Sequence, residues 1–259
     1  ARRIEKSCQL TMLPLIKTYI PPREILMPKI EEVLYSGYIA QGEVVENFER
    51  KFEEFIGSGY TLSLNSGTAA LHIALILAGV KEGDEVISTA MTAEPTNVAI
   101  KMVGAKVRWA DVNYETGNIA PIAIENAIND KTKAIIVVDY AGTSVDVKSI
   151  QEISLKYNIP VIEDAAHALG TTYNGKKTGN HFPFTVFSFQ AIKHLTTIDG
   201  GALQIQDKEL YEKGKLISVL EAGSYWIFGN KQVHIYEMKQ SFVAPIELTI
   251  LLQNEKLAS

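Results

Sequence analysis

Lys193 lies in the stretch FSFQAIKHLTTIDGGAL, residues 187–203, between two apolar, strand-like runs. Ile192 and His194 flank it, and Thr196, Thr197, Gly200 and Gly201 follow. Lysine is a surface residue by default. In an apolar, partly closed site an ammonium loses hydration and its pKa falls. The neutral amine is then a nucleophile for carbonyl carbon. A loop lysine stretching its stem to water fits the isolated stretch as well. Ser188, just upstream, offers a hydroxyl to an anion.

Two further stretches hold groups of matching chemistry. In IPVIEDAAHALG, Asp164 ends a strand-like run and His167 follows three residues later. A carboxylate at a buried strand end needs a cationic partner or several donors. An N-cap or a structural ion pair would satisfy it equally, and a lone histidine is as readily a core or surface residue. In NSGTAAL, a strand ends and Ser66, Gly67 and Thr68 open a helix. The first helical N–H groups lack partners and the helix dipole is positive there, which suits a phosphate. A plain Ser/Thr N-cap is the simpler alternative. Neither a Walker A loop nor G-x-G-x-x-G is present.

Taken together, the three stretches meet the needs of pyridoxal 5'-phosphate. Its phosphate needs a helix N-terminus, its pyridine nitrogen an acidic partner and its aldehyde a lysine. No metal is expected.

The elements that must position these groups alternate. Strands are expected at 60–64, 84–89, 105–112, 133–140, 159–165, 184–189 and 200–205, and helices at 67–79, 96–104, 120–129 and 146–158. KAIIVVDY is apolar and β-branched without alternation, as in a strand buried on both faces. The pattern predicts an α/β fold with a mostly parallel central sheet and helices on both faces. Ligands in such sheets bind beyond the carboxyl ends of the strands. That rule gathers residues 65–68, Asp139 and Tyr140, 164–167 and 188–193 on one side. Before Tyr60, two amphipathic helices are joined by SGYIAQGE. Beyond Leu216 the pattern loses its period, with one further helix expected at 244–257.

The chain has 259 residues, 46% hydrophobic and 21% charged, with a net charge of −5. This is globular composition, long enough to bury a core. No basic block favours nucleic acid, and no apolar run reaches membrane-span length. The single cysteine, Cys8, excludes a disulfide framework within the chain and fits a reducing, cytoplasmic setting.

The chain resembles the sugar aminotransferases of the DegT/DnrJ/EryC1/StrS group, within the fold-type I pyridoxal-phosphate enzymes. The resemblance rests on SGYIAQGEVVENFERKFEEFIG, LNSGTAALHIAL, GDEVIST, VGAKVRWADVNYETGNI, TKAIIVVDYAG, IPVIEDAAHALGTTYNGKKTG and FSFQAIKHLTTIDGGAL, in family order. It implies that Lys193 holds the cofactor covalently and shuttles a proton, and that Asp164 pairs with the pyridine nitrogen. It also implies that His167 faces the ring and that Ser66, Gly67, Thr68 and Ser188 bind the phosphate. Tyr38 and Gln41 of the SGYIAQG loop would lie near the substrate. Glutamate as amino donor, a nucleotide-linked keto sugar as acceptor and a homodimer with active sites at the interface are implied in the same way.

The resemblance also marks departures. Ala93 occupies the position where many members stack an aromatic residue on the cofactor ring. SVLEAGSYWIFGNKQVHIYEM matches the family poorly, and Asn230 and Lys231 are guesses there for ligands reaching across subunits. The expected organisation is an extension at 1–13, a large cofactor-binding domain at 14–217 with a helical segment at 22–57, and a divergent tail at 218–259. The small C-terminal domain would be largely absent. A sub-branch of the family with histidine at the lysine position dehydrates sugars, which keeps a dehydratase, or a truncated non-catalytic paralogue, as alternatives. Lys193 favours transamination over dehydration, while the missing small domain leaves the non-catalytic paralogue open.

Overall fold

The computed structural model describes residues 18–39 and 41–221, the last three by backbone alone. The 1–13 extension, Cys8, Asn230, Lys231 and the 244–257 helix lie outside the described residues. In chain order the elements are α1 (Arg23–Ser36), α2 (Glu43–Ile56), β1 (Tyr60–Leu64), α3 (Gly67–Leu77), β2 (Glu85–Ser88) and α4 (Glu94–Met102). They continue with β3 (Lys106–Trp109), α5 (Pro121–Ala127), β4 (Thr132–Val138), α6 (Val147–Tyr157) and β5 (Val161–Asp164). The last are β6 (Thr172–Tyr173), β7 (Lys176–Lys177), β8 (Phe184–Ser188), β9 (Gly201–Ile205) and α7 (Lys208–Glu221).

The main sheet has the strand order β1-β9-β8-β5-β4-β2-β3. From β8 to β3 the pairings are parallel, whereas β9 runs antiparallel to both β8 and β1. Helices cover both faces. On one, α3, α4 and α7 bury Leu71, Leu75, Ile100 and the partly covered Leu210 against Val86, Ile136, Ile162 and Leu203. On the other, α5 and α6 bury Ile124, Ile150 and Ile153 against Ile135, Val137 and Val161. The expected mostly parallel α/β sheet is therefore present, as are its expected strands and helices.

Each element follows from local chemistry. Helix α3 is apolar nearly all round, so it sits deep between sheet and neighbours. Helix α2 spaces Phe48, Phe52 and Ile56 four residues apart, which puts them on one face. That face meets β8, where Phe187 and Phe189 turn towards α2. Phe52 lies edge-on to Phe187 at 5.2 Å and to Phe189 at 5.7 Å. Such pairs add about 0.5–1.5 kcal/mol each beyond area burial. Ser188, between the two phenylalanines, turns to the opposite face.

Two features depart from the expectation. The β6–β7 hairpin was not foreseen, although its turn is Asn174-Gly175 with both residues at positive φ (50° and 79°), a strong hairpin signal. The expected boundary at 217 falls inside α7. One helix crosses it, because Leu210, Tyr211 and Ile217 pack on the core beneath β1 and β9.

A buried polar row also crosses the sheet in register, through Glu163, Thr185, Gln204 and Thr61. Thr185 Oγ1 donates to Glu163 Oε2 (2.8 Å) and Thr61 Oγ1 to Gln204 Oε1 (2.7 Å). All four side chains are fully buried.

Candidate active site

Glycine packing brings the three sequence stretches together. Gly201, at the start of β9, pairs with Ser188 of β8 and with Leu64 of β1. A Cβ at Gly201 would stand 2.4 Å from the Ser66 carbonyl carbon and 2.5 Å from Gly67 N. A glycine at this position is what lets β9 run against the opening of α3. A Cβ on Gly67 would lie 3.2 Å from Ser188 Cβ and 3.6 Å from its Oγ, so the Ser188 side chain abuts the helix start.

Ser66 is the α3 N-cap, and its Oγ accepts from Ala69 N at 3.1 Å. The same hydroxyl donates to Asn65 Oδ1 at 3.3 Å. The N–H groups of Gly67 and Thr68 remain without a partner in the helix. With the Thr68 and Ser188 hydroxyls and the positive helix end, they form a donor set that fits a phosphate.

Asp164 ends β5 and is buried. Its Oδ2 accepts from Thr96 Oγ1 at 2.7 Å and its Oδ1 from Ala166 N at 3.1 Å. Burial pushes its pKa up. The two hydrogen bonds, and then the charges of Lys193 and His167, pull it back. A further cation beside it, such as a protonated ring nitrogen, would favour the charged form in the same way as Lys193 and His167 do.

Lys193 is half-buried in the loop between β8 and β9. Burial lowers its pKa, with Asp164 opposing. His167 is also half-buried. Its pKa is lowered by burial and the Lys193 charge, against Asp164, with His194 adding to the fall. Asp164, His167 and Lys193 therefore lie within electrostatic reach of one another. The two threonines after the lysine close its loop. Thr196 Oγ1 and Thr197 N both donate to Phe189 O, at 3.0 and 2.9 Å. Lys193 N donates to Gln190 O at 2.8 Å. Ile198 takes φ 71° in this loop, a costly conformation for a β-branched residue.

Other expected residues sit farther out. Tyr38 and Gln41 occupy the exposed turn between α1 and α2, and among the described residues neither hydrogen-bonds to the Asp164 or Lys193 segments. Ala93 is the exposed N-cap of α4.

Three site residues escaped sequence reasoning in whole or part. Thr96 carries no signal, since only the docking of α4 on β5 brings it to Asp164. Asp139 was marked by its strand end alone. It is fully buried, its N–H donates to Asp164 O at 3.1 Å and its Oδ1 accepts from Val145 N at 3.0 Å. Burial, with Asp164 adding, pushes its carboxyl up to about 7. Glu163 looks like a surface charge in the sequence, yet it is buried and pushed up to about 8 by burial and then by Asp139.

Comparison with known proteins gives the family of the chain. A profile of the DegT/DnrJ/EryC1/StrS aminotransferase family matches residues 23–229. Protein MJ1066 of Methanocaldococcus jannaschii, itself uncharacterised, is 42% identical over 207 residues, which are 80% of this chain and 53% of that protein. The spore coat polysaccharide biosynthesis protein SpsC of Bacillus subtilis is 38% identical over 191 residues, 74% of this chain and 49% of SpsC. The chain thus spans about half the length of these curated relatives. Among solved structures, Helicobacter pylori PseC, an aminotransferase of pseudoaminic acid biosynthesis, superposes with a TM-score of 0.79 at 32% identity. The match covers 95% of this chain and 65% of PseC. The chain belongs to the DegT/DnrJ/EryC1/StrS aminotransferase family.

Proposed function

We propose that this member of the DegT/DnrJ/EryC1/StrS family is a pyridoxal-phosphate aminotransferase that moves an amino group from glutamate to a nucleotide-linked keto sugar. The observation that carries the reading is the meeting, at the carboxyl ends of β5 and β8, of a lysine, a buried carboxylate and an open helix N-terminus. Family membership supports the cofactor and the transfer of an amino group to a sugar. The donor, the nucleotide and a homodimer with shared sites follow from the family resemblance.

Pyridoxal phosphate, when bound, supplies an aldehyde for attachment and a ring that withdraws electrons from the reacting carbon. The Gly67 and Thr68 N–H groups and the Ser188 hydroxyl bind its phosphate. Ser66 orders that end by capping α3. Asp164 holds the ring nitrogen protonated by keeping a negative charge beside it. Lys193 provides the attaching amine, and burial favours the unprotonated form that attack requires. Lys193 Nζ would also be the base that moves the proton between the donor and cofactor carbons. His167, from the segment after β5, would face the ring. Tyr38 and Gln41 contact the sugar from the α1–α2 turn.

Protein incubated with pyridoxal phosphate is expected to turn yellow, and borohydride to fix the cofactor on a peptide containing Lys193. Adding glutamate should then bleach the colour in a single turnover. A colourless protein without an adduct at Lys193 would overturn the reading. An adduct at Lys193 that glutamate never bleaches would refute glutamate as the donor.

A further inference from the structure

We propose that Thr96 is a positioning residue that holds Asp164 in its ionised form, with Thr92 orienting the Thr96 hydroxyl. The proposal rests on Asp164 being the partner of the cofactor nitrogen, as read above. Thr96 is buried on α4, and its Oγ1 lies 2.7 Å from Asp164 Oδ2 and 2.8 Å from Thr92 Oγ1. A threonine hydroxyl has one proton to give. The three groups can therefore be ordered in two ways. With Asp164 ionised, Thr92 donates to Thr96 and Thr96 to Asp164. With Asp164 protonated, both bonds reverse.

The surroundings choose between these directions. Ala166 N can only donate, and it points at Oδ1. Lys193, from the β8–β9 loop, and His167, from the segment after β5, act on Asp164 as positive charges. Asp139, just past the end of β4, is a second buried carboxyl beside Asp164, and the Asp164 charge helps to raise its pKa. Glu163 acts through Asp139. Burial raises the pKa of Asp164, and the largest effect opposing burial is the Thr96 hydroxyl. Thr92 is only half-buried, so its own hydroxyl can accept from water while it donates to Thr96. Thr96 touches neither cofactor nor substrate in this arrangement and acts through Asp164.

The test is a carbon-detected NMR titration of the Asp164 carboxyl in the full chain without cofactor, in wild type, T96V and T96S. T96V removes the donor at nearly constant volume, and the Asp164 midpoint is expected to rise by about one pH unit or more. T96S should bring it back towards wild type. Affinity for pyridoxal phosphate, read by fluorescence quenching, should fall about tenfold in T96V and recover in T96S. An unchanged Asp164 midpoint in T96V overturns the proposal. A raised midpoint in a protein whose wild type binds no pyridoxal phosphate upholds the role of Thr96 and overturns the aminotransferase reading instead. Should T96V fail to fold, T96C serves in its place. Its thiol is a weak donor of similar size and should give a smaller rise, and no rise at all would refute the role.

Discussion

Replacing Glu163 with glutamine should remove much of the protein's loss of stability at neutral pH. Glu163 Oε2 accepts from Thr185 Oγ1 at 2.8 Å and from Gly179 N at 3.4 Å, while Oε1 has no hydrogen-bond partner among the described residues. Burial, then Asp139, pushes the carboxyl from its ordinary 4.5 to about 8. Between those values the native protein keeps a proton that the unfolded chain releases. A raised carboxyl contributes stability below its unfolded value and loses it as pH climbs to the folded value. One such proton amounts to about 1.4 kcal/mol per pH unit. From about pH 5.5 to about pH 7.5 the wild type should therefore lose roughly 3 kcal/mol through Glu163. That corresponds to roughly 6–12 °C in Tm for a domain of this size. Glutamine keeps an acceptor for Thr185 and Gly179 and cannot ionise. E163Q should lie within about 1 kcal/mol of wild type at the acid end and clearly above it at neutral pH. Asp139, raised by its own burial, leaves a residual slope. Urea unfolding at both pH values is the assay. Parallel wild-type and E163Q stability profiles would refute the reasoning.

Other outcomes follow from single contacts. G201A would place its Cβ 2.4–2.5 Å from backbone atoms of Ser66 and Gly67. It should cost about 3 kcal/mol or more and abolish cofactor binding, and urea titration with a pyridoxal-phosphate binding curve would detect a variant that escapes this. I198G relieves a β-branched residue at φ 71°. The relief of about 1–2 kcal/mol outweighs the added chain entropy of glycine, about 0.5–1 kcal/mol. Tm should rise slightly, and a fall would mean that the Ile198 side chain supplies a contact worth more than the strain.

The sequence made the scaffold legible because its signals were local. Alternating runs marked the strands, and Ser66 before Gly67 marked the start of α3. The β-branched run 134–138 announced a strand covered on both faces. Lys193, Asp164 and Ser188 could be placed at one sheet edge by topology alone. The network behind them could not. Thr96 meets Asp164 across 68 positions, and nothing in EPTN sets this threonine apart from an ordinary helix residue. Glu163 was hidden for the opposite reason. A glutamate next to a strand-end aspartate suggests solvent, and only the register with Thr185 shows that it faces a partner strand. The Asn174-Gly175 hairpin was legible but was read only as part of a family stretch.

The antiparallel strand β9 also has a consequence for synthesis. It lies between β8 and β1, so β1 gains its neighbour in the sheet only when residues 201–205 arrive, some 140 positions after its own. The N-terminus of α3 forms early as helix, but the proposed phosphate-binding face stays unfinished until Ser188 and Gly201 leave the ribosome. Long-range closures of this kind are slow and come late. A nascent chain halted before β9 would carry α3 and β1 with a bare sheet edge, open to misplaced pairing. Completing the hairpin around Lys193 joins β1 to β8 through β9 and completes the proposed phosphate cradle in one event. The proposed phosphate site is therefore completed by the same event that covers the exposed edge of β8.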